Sequence, residues 1–205
     1  MEQQIRFPVE DLVLEGLISL PEPGARIGIV LCHPHPLYGG EMHNNVVEAM
    51  AVSMQRAGHA TLRFNFRGVG GSSGAHGEGV AEIEDVKAAV TCLLQRQAFE
   101  TIVVAGYSFG SMVGLRAGAD DTRVDKLIGV ALPIATRDVS FLKTVAKPTL
   151  LVSGDRDQHS PVSELEALCA GLTGPTQLVV VAGADHFFRS REIDVADAAL
   201  RFIDG

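Results

Sequence analysis

Ser108 stands between two glycines, in Gly106-Tyr107-Ser108-Phe109-Gly110, at the end of the apolar run Thr101-Ile-Val-Val-Ala. A serine hydroxyl is a weak nucleophile until a base takes its proton, and the base needs a carboxylate to orient it. Glycine two residues before and after the serine lets a strand and a helix pass closely. The serine between them is held in a strained conformation that aims its oxygen outward. The helix that starts there turns free N–H groups toward any anion that develops. Gly-x-Ser-x-Gly also arises at ordinary strand-to-helix joints, so its weight depends on partners elsewhere in the chain.

For a serine on such a turn, the acid and then the base follow along the chain. Two histidines follow Ser108: His159 and His186. His186 comes directly after the apolar run Gln177 to Val181, where a loop reaches over the sheet edge, and is the base this reading assigns. Its bland role is a loop residue packed beside Phe187 and Phe188. His159 falls in the loop after Ser153, where the acid is expected. That loop offers Asp155 and Asp157. Asp157 lies further round and has more reach, whereas Asp155 suits a turn-stabilising role. Asp185 adjoins His186, and adjacent side chains diverge, so it ranks last.

An acyl-transfer site also needs donors for the oxyanion. The N–H after the nucleophile belongs to Phe109, and the second donor is expected in His33-Pro-His-Pro-Leu-Tyr-Gly-Gly. Pro34 and Pro36 have no N–H. His35 and Leu37 remain, with His35 favoured. The histidines His33, His35 and His43 raise a metal reading, but no cysteine nearby completes a ligand pattern, and His33 as a hydrogen-bonding buttress is preferred. The run Arg67-Gly-Val-Gly-Gly-Ser-Ser-Gly has Ser73 where a dinucleotide fingerprint needs glycine. Arg67 is read as holding that loop through carboxylate or backbone contacts. No cofactor and no metal are expected.

The elements that must position these residues alternate. Strands are expected at Leu12 to Leu20, Ile27 to Cys32, Ala60 to Phe66, Thr101 to Gly106, Lys126 to Leu132, Pro148 to Ser153 and Gln177 to Val181. Helices are expected at Asn45 to Arg56, Val80 to Arg96, Phe109 to Ala117, Val162 to Leu172 and Ile193 to Ile203, with Asn44 or Asn45 capping the first. Apolar strands alternating with helices specify an α/β protein with a mostly parallel sheet covered on both faces. With 205 residues and no linker, one domain over 1–205 is expected. The net charge of −8 argues against a nucleic-acid partner. No membrane span or signal peptide is read, and three scattered cysteines suit a reducing cytoplasm. Ala196, Leu200 and Ile203 on the last helix face inward or form a homo-oligomer seam, and the inward reading is preferred.

HPHPLYGG, FNFRGVGGSSG, GYSFG, GDRDQHSP and GADHFF follow one another in that order. Together they cover most of the chain and resemble the α/β-hydrolase superfamily, most of all its small bacterial carboxylesterase-like and dienelactone-hydrolase-like members. The resemblance implies Ser108 as nucleophile, Asp157 as acid, His186 as base and a mixed sheet of about eight strands. Two departures narrow it. Dienelactone hydrolases proper use cysteine where this chain has Ser108. Pro133 to Lys147 is too short to form a cap domain. A lidless serine esterase acting on small, accessible carboxylic esters is therefore expected. A thioesterase or peptidase with the same triad, or a non-catalytic binding protein of this fold, are the alternatives.

Overall fold

In the computed structural model, which describes residues 1–22 and 24–205, eight strands form one sheet. They are β1 (Gln3–Val9), β2 (Leu12–Ser19), β3 (Ile27–Cys32), β4 (Ala60–Phe64), β5 (Thr101–Tyr107), β6 (Lys126–Val130), β7 (Thr149–Gly154) and β8 (Thr176–Val181). The strand order is β1-β2-β4-β3-β5-β6-β7-β8. β1, β2 and β4 pair antiparallel, and every later pairing is parallel. The helices are α1 (Asn45–Arg56), α2 (Glu82–Leu94), α3 (Phe109–Asp120), α4 (Val162–Ala170) and α5 (Glu192–Asp204).

The continuous apolar runs follow from burial on both faces. Along β3, Ile29 and Leu31 point into one core with α1 and α5, while Val30 and Cys32 point into the other with α2, α3 and α4. β5 divides in the same way: Val103, Ala105 and Tyr107 go one way, and Ile102 and Val104 the other. Side chains alternate across a strand, so a sheet clad on both faces needs an apolar residue at every position.

The N-terminal strand β1 goes beyond the elements expected from sequence. Ile5, Phe7 and Val9 alternate toward the sheet, and Phe7 meets Phe64 edge-on at 5.9 Å. Pro8 is tolerated because β1 is an edge strand. Several expected ends shorten, including those of β4 and β6 and the start of α2. Beyond β4, Asn65 N–H still bonds Glu15 O, but the donors after it turn to side chains: Phe66 N–H donates to His33 Nε2, and Arg67 N–H to Asp85. β6 stops at Val130, where Ala131 takes a φ of 48°. α2 starts at Glu82, whose carboxylate accepts the N–H groups of Gly77 and Gly79, and its last turn carries no base. Asn44 is the cap of α1, its side chain accepting from Val46 N–H. Ala196 and Ile203 of α5 are buried inward.

Between β6 and β7 the chain makes a single 3-10 turn, Ser140–Thr144, so no cap domain covers the sheet end. No helix among the described residues is long and apolar enough to cross a membrane.

Candidate active site

Ser108 sits at the carboxyl end of β5, with α3 starting behind it. Its φ of 53° and ψ of −118° are strained for a residue with a Cβ. Its N–H is anchored to Val130 O at 2.8 Å. The flanking glycines are dictated by backbone: a Cβ on Gly106 would lie 2.1 Å from Gly110 O, and one on Gly110 would lie 2.4 Å from both Cys32 O and His33 O. No side-chain rotation relieves such contacts, so α3 can approach β3 and β5 this closely only with glycine there.

Ser108 Oγ lies 2.9 Å from His186 Nε2, and His186 Nδ1 lies 2.8 Å from Asp157 Oδ2. An ionised carboxylate only accepts, so His186 Nδ1 carries the proton, and Nε2 is left to accept from the Ser108 hydroxyl. The Asp157 side chain is fully buried. Its other oxygen accepts from His159 N–H at 2.8 Å and Ser160 N–H at 3.1 Å, which fixes the carboxylate on the imidazole. Asp155 instead accepts from Gly183 N–H, and Asp185 from Phe187 N–H. Neither competes for the imidazole. His159 stacks edge-on against His186 with ring centres 4.8 Å apart.

The His186 loop is pinned from two sides. Phe188 is fully buried, while Phe187 turns outward and lines the cavity beside Ser108. The Tyr107 hydroxyl donates to His186 O at 2.7 Å. Burial, followed by the nearby carboxylates led by Asp157, raises the Tyr107 pKa, so the phenol stays a donor. Tyr107 was not singled out by the sequence. Its only signal is its place beside Ser108, and nothing local says that the phenol reaches the His186 loop.

The loop after β3 completes the site. Leu37 N–H donates to His35 Nδ1 at 3.3 Å, whereas His35 N–H has no acceptor among the described residues. Of the two candidates, His35 is therefore the one with a donor to spare. The His35 ring packs on Phe109 at 4.8 Å and on His76 at 5.0 Å, and His76 packs on Phe109 at 5.4 Å. Glu82, fully buried, holds the segment that carries His76. His33 is the buttress: Nδ1–H donates to Pro34 O at 2.7 Å, and Nε2 accepts from Phe66 N–H at 3.0 Å. Burial pushes its pKa down to about 4. Both ring nitrogens are occupied, so neither is open to a metal. Arg67 clamps the glycine-rich loop, with Nε and Nη2 donating to buried Asp85 at 2.9 and 2.7 Å.

A cavity of about 640 Å³ opens on Ser108, bordered by Tyr38, Phe109, Met112, Pro133 and Phe187. Its size admits a small organic molecule, and its polar groups converge on the serine.

Comparison with known proteins agrees with this architecture. Residues 27–200 match the family model described as an alpha/beta hydrolase domain. The chain belongs to the alpha/beta hydrolase family. This alpha/beta hydrolase is 32% identical to the uncharacterized protein RP471 of Rickettsia prowazekii, over 95% of this chain and 86% of that one. A solved alpha-beta serine hydrolase homologue from Coxiella burnetii superimposes with a TM-score of 0.89 at 35% identity, covering 97% of this chain and 96% of the other. A serine hydrolase without a lid from Xanthomonas campestris gives the same TM-score at 30% identity, covering 99% and 94%. The protein is thus a hydrolase of this superfamily, and it shares the lidless sheet end with its Xanthomonas relative.

Proposed function

We propose that this alpha/beta hydrolase is a carboxylesterase-like serine hydrolase that cleaves small, accessible carboxylic esters through an acyl-enzyme on Ser108. The observation that carries the reading is the hydrogen-bonded line from Ser108 through His186 to Asp157, opening on an uncapped cavity. His186 takes the hydroxyl proton as Oγ attacks the ester carbonyl. Asp157 holds the resulting imidazolium in place. The N–H groups of Phe109 and His35 receive the oxyanion. His186 then passes its proton to the leaving alcohol. Water, deprotonated by the same imidazole, attacks the acyl-enzyme and releases the acid. A thioester presents the same carbonyl and falls within the proposal. The same reading places the protein in the cytoplasm, where the unpaired Cys32, Cys92 and Cys169 suit a reducing environment.

The test is twofold. A fluorophosphonate probe should label Ser108, as mapped by peptide mass spectrometry. Ser108→Ala should lose p-nitrophenyl acetate turnover by at least about 10³-fold with an unchanged circular dichroism spectrum. Retained turnover in the pure variant would falsify the assignment.

A further inference from the structure

The cavity contains one charge that the Ser108–His186–Asp157 line does not use. Arg137, in the segment between β6 and β7, borders it together with Ser108, His159 and His186. No aspartate, glutamate or lysine borders the same cavity. Arg137 is exposed, and its guanidinium has no carboxylate at ion-pair distance among the described residues. The carboxylates closest to it in the chain or in the site are engaged elsewhere. Asp138 accepts from Ser140 N–H, and Asp157 is saturated by His186, His159 and Ser160. A chain with a net charge of −8 thus places an unpaired cation on the border of the cavity that opens on Ser108.

The stem of this arginine is held. Arg137 N–H and Thr136 N–H both bond Pro133 O, at 3.1 and 3.2 Å, and Ala135 N–H bonds His159 O at 3.3 Å. The backbone under Arg137 is therefore tied to the loop that supplies Asp157. Its charge also reaches the far wall. Burial first, then His76 and Arg137, lower the His35 pKa, so His35 is held neutral at the proposed oxyanion donor.

We propose that Arg137 is a specificity-determining residue that selects esters bearing a carboxylate or other anionic group on the portion filling this cavity. This rests on the esterase reading of the same site. A guanidinium offers paired N–H donors matched to a carboxylate and gives up its hydration more readily than an ammonium. The apolar border would hold the carbon chain while Arg137 takes its charged end.

Two matched pairs of esters test this and distinguish which half of the substrate carries the charge. 4-Nitrophenyl hemiglutarate against 4-nitrophenyl valerate places the carboxylate on the acyl side. 3-Acetoxybenzoate against its methyl ester places it on the alcohol side. The readout is the ratio of kcat/KM, anionic over neutral. In one of the two pairs, Arg137→Gln should lower that ratio about tenfold, Arg137→Lys should restore part of it, and added salt should erode it. A ratio unmoved by Arg137→Gln in both pairs would overturn the proposal while leaving the esterase reading intact. Calorimetric binding of monomethyl glutarate and 3-acetoxybenzoate to Ser108→Ala protein reads the contact without turnover. Arg137→Gln in that background should weaken one of the two ligands about tenfold, and affinities unchanged by the substitution for both ligands would overturn the proposal even if no ester proved to be a substrate.

Discussion

His33 is fully buried, and both its ring nitrogens are spent on the backbone of two loops. Burial penalises the charged ring, so the folded chain resists protonation down to about pH 4, whereas the unfolded histidine takes its proton near 6.5. Between those values the unfolded state binds more protons, and stability falls as pH falls. The stability is complete above 6.5. Roughly 3 kcal/mol of it is lost by pH 4. Urea titrations near pH 7.5 and near pH 5 should therefore show about 2 kcal/mol of loss from this group, and His33→Gln should flatten that slope. An identical slope in the variant would remove His33 from the account. Its buttressing role was read from the sequence because no neighbouring residues complete a metal-ligand pattern. The order serine, aspartate, histidine was legible too, since it needs only the strand ends. His35 was preferred to Leu37 on the sequence, and the coordinates add that Leu37 N–H is spent on the His35 ring.

At the scale of elements, the critical contact is α3 against the carboxyl end of β3. A Cβ on Gly110 would collide with Cys32 O and His33 O, and the chain continues from there into the loop that carries His35. Gly110→Ala should cost roughly 1–3 kcal/mol, more than a core methyl that can repack, because backbone must move. The displaced carbonyls lead directly to the proposed oxyanion donor, so kcat should fall while KM changes little. Urea denaturation and steady-state kinetics on one preparation check both, and unchanged values would mean that the elbow has slack. β3 had the expected limits, and the other strands buried on both faces were found with their ends off by one or two residues. β1 was missed because Gln3, Gln4, Arg6 and Pro8 mask the alternation of Ile5, Phe7 and Val9. A solvent-facing edge strand keeps only half of the pattern.

For the whole molecule, the loops after β3, β5, β6, β7 and β8 all end at one rim, and no inserted domain closes over it. Arg137 owes its place to that gathering, and so does the pairing of Ser108 with a histidine from far along the chain. Chain order pointed to the histidine, whereas nothing local marked Arg137, whose place depends on strand order. The sheet grips the His186 loop through the Tyr107 hydroxyl, which donates to His186 O. Tyr107 is covalently next to Ser108, so the strand presenting the proposed attacking oxygen also grips the chain that bears its proposed proton acceptor. Their spacing becomes an internal dimension of one clasp, and thermal drift carries both ends together. On warming, fluorophosphonate reactivity should survive until the fold itself melts. In Tyr107→Phe it should fade several degrees before the circular dichroism does, and simultaneous loss in that variant would mean the phenol grips nothing.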